Sequence, residues 1–112
     1  MELVFRKGTE LIAIRVNENK TLTFGQQIGG WFRFSGIEGL KLSISGILEE
    51  FPDLKEKNDK EVREEGLKRF LSHIKSMKTK EEISNYVTED LKKYGYVLIM
   101  KVKKGHRPIK VK

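Results

Sequence analysis

The chain has 112 residues, with 23 Lys and Arg against 16 Asp and Glu for a formal net charge of +7. That length suits one domain, residues 1–112, built on one apolar core, although charged residues at 35% exceed the roughly 25% of an average domain. The absence of cysteine excludes disulfides, thiol catalysis and thiolate metal sites, and no apolar run approaches the ~20 residues of a membrane span.

Met1-Glu2-Leu3 opens the chain without an apolar signal core, so a cytoplasmic protein with no cofactor and no membrane partner is expected. Leu3-Val4-Phe5 and Leu11–Val16 read as strands around Lys7-Gly8-Thr9, with Ile12, Ile14 and Val16 on one face by the two-residue period. Asn17–Lys20 is a turn, and Thr21–Phe24 is a third strand of an antiparallel meander.

Residues 25–46 hold six of the ten glycines and the single tryptophan. Trp31–Phe34 predicts a short strand, and Leu40–Ile44 alternates as another, with Gly36 and Gly39 bracketing the connection. Leu48–Phe51 predicts one helical turn stopped by Pro52, and Glu49, Glu50, Asp53, Glu56 and Asp59 read as solvated charges without the spacing of a calcium loop.

Two helices follow. Asn58 and Glu61 have capping-box spacing ahead of the apolar face Val62, Leu67, Phe70, Leu71, Ile74 and Met77. Gly66 interrupts that helix, which implies close packing there. Thr79 and Glu82 open a second helix with Ile83, Tyr86, Val87, Leu91 and Tyr94 inward, and Gly95 supplies a left-handed cap. Tyr96–Val102 is then a strand apolar on both faces through Met100, which predicts a central or doubly covered position. After a turn at Gly105–Pro108, Ile109–Lys112 returns as a basic edge strand. The order gives an α+β fold: a mainly antiparallel sheet, an N-terminal meander plus a C-terminal strand, with two consecutive helices on one face.

The charge is not spread evenly. Residues 1–48 carry +2, residues 49–94 carry −1, and residues 95–112 supply +6 with no acid among them. Lys101, Lys103, Lys104, Arg107, Lys110 and Lys112 therefore form a basic ribbon suited to the phosphates of RNA or DNA, although lysines also protect an exposed sheet edge. Trp31 with Arg33, if both face outward, would add base stacking. The leading expectation is a non-enzymatic nucleic-acid-binding module. The alternative is a protein-interaction or homodimer module using the glycine- and aromatic-rich face of residues 25–46. A third reading is ribonuclease-like phosphodiester cleavage by His106 with Lys104 and Arg107. His73 sits at the edge of a helical apolar stripe and reads as a boundary residue.

Lys92–Ile99 resembles the octapeptide of RNA recognition motifs at five of seven specified positions, with Lys93 and Ile99 departing. Here a helix rather than a strand leads into the octapeptide, so a glycine-capped helix end accounts for the match. Two helices and a basic hairpin also resemble a winged helix, with Ile83–Tyr94 as reader and Gly105–Pro108 as wing tip, against which stand the long β-rich N-terminus and the lack of a third helix.

Abundant Lys and Glu beside two Gln and four Asn match the composition of thermophile proteins. A melting temperature above ~60 °C is expected, and a calorimetric value below that would reject the assignment.

Overall fold

The computed structural model describes residues 1–102 and the backbone of residues 109–110. Its strands are β1 (Glu2–Lys7), β2 (Glu10–Val16), β3 (Leu22–Ile28), β4 (Trp31–Gly36), β5 (Val97–Val102) and β6 (Ile109–Lys110). They form one antiparallel sheet in the order β4-β3-β2-β1-β5-β6. Three helices, α1 (Ile44–Glu50), α2 (Asp59–Lys75) and α3 (Lys80–Lys93), lie between β4 and β5 in the chain. The fold is α+β, as the alternation of patterns predicts. Among the described residues no helix is long and apolar enough to cross a membrane.

Local chemistry sets the turns. At Asn17–Lys20 the Lys20 N–H donates to the Asn17 carbonyl at 2.9 Å, and Asn19 Oδ1 accepts from the Thr21 N–H at 3.2 Å. These bonds support Lys20 at φ 66°, where a side chain is costly. At the end of α3, Gly95 adopts φ 88° and its N–H reaches the Lys92 carbonyl at 3.0 Å, the cap that its position predicts.

The two-residue period sends Leu3 and Phe5, Ile12, Ile14 and Val16, and Leu22 and Phe24 to one face of the sheet. There they meet Ile47 of α1, Val62, Phe70 and Ile74 of α2, and Ile83, Val87 and Leu91 of α3. Both predicted N-caps form: Asn58 Oδ1 accepts from the Glu61 N–H at 2.9 Å, and Thr79 Oγ1 from the Glu82 N–H at 3.1 Å, while each glutamate accepts from the cap side chain rather than its backbone. The Glu65–Arg69 pair closes at 3.4 Å, while Arg69 also grips Asp53 in a two-pronged bond at 2.9 and 2.6 Å.

Two expectations are corrected. Leu40–Ile44 is not a strand. Ile37–Gly39 turns as a 3-10 helix over Phe24 and lifts the chain off the sheet, so Leu40 and Leu42 are buried without a strand partner. Ser43 then caps α1, its Oγ accepting from the Gly46 N–H at 3.2 Å, so the turn expected at Leu48–Phe51 is the end of a longer helix. The second concerns β5, which does lie inside the sheet between β1 and β6 but is not doubly covered: among the described residues helices stand on one side only. Val97, on its other side, is 52% exposed.

Gly66 lies where α2 crosses α1, and a Cβ there would meet Ile47 Cδ1 and Cγ2 at 2.9 Å. Gly66→Ala should therefore destabilise the fold by about 1–3 kcal/mol in urea unfolding, although alanine is the better helix former. An unchanged or raised midpoint would show that α1 yields.

Candidate functional site

No helix covers the second face of the sheet among the described residues. The strand registers place Val4 and Arg6 of β1, Leu11, Ala13 and Arg15 of β2, Thr23 and Gln27 of β3, Phe32 and Phe34 of β4, and Met100 and Val102 of β5 on it. Val4 and Ala13 are nonetheless buried, and neither belongs to the helix-side core, so their cover comes from neighbouring side chains of the same face.

Phe34 is central to that cover. It stands opposite Gly25, and a Cβ at Gly25 would meet the Phe34 ring at 2.8 Å, so the missing side chain lets the ring lie down on β3. The Arg15 guanidinium sits 3.8 Å from the centroid of that ring, within cation–π range. Glu2 holds the same guanidinium through Glu2 Oε1, which accepts from Arg15 Nε at 3.0 Å and Nη2 at 2.6 Å. Phe32 lies beside Phe34 with centroids 6.4 Å apart and rings tilted by 48°. Both phenylalanines are half-buried, while Arg6 is exposed. The arrangement is a shallow platform of two aromatic rings and a fixed guanidinium plane.

The residues singled out from sequence are distributed differently. Trp31 and Arg33 do face outward together, but on the helix side of β4, beyond the helices, and Trp31 is 67% exposed. Lys101 faces the helix side of β5, where its Nζ donates to Glu81 of α3 at 3.0 Å and it is only 20% exposed. Four inter-strand steps separate β4 from β5, about 19 Å at ~4.8 Å per step, so Trp31 and Lys101 do not share a site. Lys110 belongs to β6 and pairs with Met100 through the backbone. Lys103, Lys104, Arg107, Lys112 and His106 lie outside the described residues. The octapeptide-like run is absorbed by the fold: Tyr94 and Tyr96 are both buried.

A second polar feature lies between α1, α2 and α3, where a cleft of about 810 Å³ is lined by Glu50, His73, Tyr86, Asp90 and Lys93 among others. Lys93 Nζ sits 3.7 Å from Glu50 and 3.6 Å from Asp90, and the Tyr94 hydroxyl donates to Glu50 Oε2 at 3.0 Å. His73, expected only at a stripe boundary, stacks on Tyr86 with centroids 4.6 Å apart, and Phe70 stacks on the same ring. Glu50 is thus no solvated charge but part of a bridge from α1 to α3. Burial, and then the negative charge of Glu50, push the Asp90 carboxyl above the usual aspartate range against the pull of Lys93. Burial with Asp90 and Glu50 nearby lifts the Tyr86 hydroxyl to about 12. Glu50, Asp90, Lys93 and Arg69 are all paired from within the chain, so the cleft wall is a closed polar knot. Among the described residues no group of three or more His, Asp and Glu could hold a metal ion.

Sequence reasoning missed Arg15, Phe32, Phe34 and Asp90 as special positions. A signal existed for Asp90, which falls between Val87 and Tyr94 on the inward stripe of α3. No protein-family model matches this chain, and no curated protein or solved structure matches it either.

A carboxyl whose folded pKa is raised binds more protons folded than unfolded, so it lowers stability as pH rises through that interval. Asp90→Asn should therefore raise the melting temperature at pH 7, with the gain over wild type shrinking as pH falls toward ~4, the unfolded aspartate value. A lower melting temperature at pH 7 would show that the Lys93 pair outweighs the burial of Asp90.

Proposed function

We propose that the protein is a binding module for single-stranded nucleic acid, with the helix-free face of the sheet as its platform. The observation that carries the reading is Phe32 and Phe34 side by side on that face, with the Arg15 guanidinium 3.8 Å over Phe34 and fixed there by Glu2. Unpaired bases stack on aromatic rings and on guanidinium planes, and such stacking tolerates any base. Arg6 on the platform would meet phosphates, and the net charge of +7 would draw a polyanion to it. Lys103, Lys104, Arg107, Lys110 and Lys112, which follow β5 in the sequence, would add phosphate contacts.

This differs from the sequence expectation in one respect. Trp31 is replaced as the stacking surface by Phe32 and the outer plane of the Arg15 guanidinium, which the Phe34 ring supports from beneath, because only the phenylalanines share a face with Arg15. A duplex fits the platform poorly, since its bases are already stacked on one another.

The test is fluorescence anisotropy with labelled oligouridine, single-stranded DNA and duplex DNA at ~50 mM salt, where phosphate contacts are strongest. Single strands should bind better than duplex. Phe32→Ala should weaken binding by about tenfold, the loss of one stacked base. Arg6→Gln should lower the slope of log K against log salt by about one. No binding at that salt concentration, or binding untouched by both substitutions, rejects the reading.

A further inference from the structure

The outer edge of β4 carries a second interaction surface. Ile28 and Trp31 flank the two-residue turn Gly29-Gly30, so they form the hydrogen-bonded pair that closes the hairpin. Antiparallel pairs alternate from there, which turns the backbone groups of Trp31, Arg33 and Ser35 toward β3. Phe32 and Phe34 then direct N–H and C=O outward, and Gly36 directs its N–H outward while its carbonyl turns to the 3-10 helix that it caps.

The two edges of the sheet are unequal. β6 is two residues long and includes Lys110, whereas β4 is six residues long with Arg33 as its one charge and no proline. Short, basic edges resist pairing, and β4 lacks that protection. Two of the three large apolar side chains most exposed in the described residues, Ile28 at 43% and Trp31 at 67%, lie at its start. The 3-10 turn after Gly36 folds over Phe24, and only the exposed Glu38 side chain lies against the edge, at Gly36.

The geometry points to β4 pairing antiparallel with β4 of a second copy, in one register. Opposed residues must both direct their backbone outward, and registers centred at or next to Gly36 run past the end of β4, which leaves three two-fold choices. Opposing Phe32 to the partner's Phe34 sets Arg33 against the partner's Arg33, and like charges directly opposite are destabilising. Opposing Phe32 to the partner's Phe32 leaves a single outward pair inside the strand. Opposing Phe34 to the partner's Phe34 also joins Phe32 to the partner's Gly36 and Gly36 to the partner's Phe32. With two bonds in the central pair and one in each flanking pair, from the Gly36 N–H to the partner's Phe32 carbonyl, that makes about four main-chain hydrogen bonds. It sets Arg33 against the partner's Ser35, and it brings Trp31 next to the partner's Ile37. The two helix-free faces become one continuous surface. This pairing does not rest on the nucleic-acid reading.

Sedimentation equilibrium of the full chain without nucleic acid tests it, with Trp31 emission as a second readout. Mass should rise from monomer to dimer with concentration, and the emission should shift to the blue as Trp31 is covered. Gly36 has φ −62°, which proline adopts, and the added ring would displace only the exposed Glu38 carboxylate. Gly36→Pro should thus fold while removing one outward N–H per copy, weakening the dimer about tenfold or more. Ser35→Arg, facing the partner's Arg33, should weaken it, and Ser35→Glu should strengthen it. A wild-type chain that stays monomeric at every concentration overturns the inference. So does a dimer indifferent to both Gly36→Pro and Ser35→Arg.

Discussion

With every helix on one side, the sheet must finish its other face with its own side chains. The rest of the structure follows from how it does so. Gly25 gives up its side chain, the Phe34 ring occupies the space, Arg15 lies on the ring, and Glu2 holds Arg15. That chain of contacts runs from β3 and β4 back to β1, and beneath it Ala13 is buried with no helix above it. A face closed this way is only half dry. It presents aromatic rings beside the cationic side chains of Arg6 and Arg15.

On the covered side the constraint is different. Three helices must be locked to one another as well as to the sheet, and the ordinary apolar stripes do most of this. The exception is the polar bridge of Glu50, Lys93, Asp90 and Tyr94, which ties α1 to α3 where Gly46 and Gly66 bring backbones close. Burying Asp90 there works against stability, since desolvation opposes its charge. The bridge therefore fixes the relative placement of the helices more than it adds to the depth of the native well.

What could be read from sequence was whatever depends on neighbours a few residues away. The inward set Ile12, Ile14 and Val16, the caps at Asn58 and Thr79, and the left-handed Gly95 all answer to local geometry. The close packing at Gly66 was also legible, because a glycine inside a strong helix pattern has few other reasons to be there. Trp31–Phe34 was harder: both faces of that strand are aromatic or cationic, so alternation alone does not say which side meets the helices. Leu40 and Leu42 alternate as a strand would, and both are buried. Whether they pair depends on where Ile37–Gly39 sends the chain, which is a tertiary matter. The separation of Trp31 from Lys101 required the strand order, and nothing short-range encodes that.

The position of β1 has a consequence for the order in which the molecule is made. Its neighbours are β2, a few residues away, and β5, whose pairing joins Glu2 to Val102 across nearly the whole described chain. Until β5 is synthesised and closes that long loop, Leu3-Val4-Phe5 forms the open margin of a four-stranded meander. Contacts so distant in sequence form late and slow the search for the native state. The growing chain therefore carries a sticky apolar border at β1, hidden only when β5 arrives, and it is in that interval that the protein would be most exposed to misassembly.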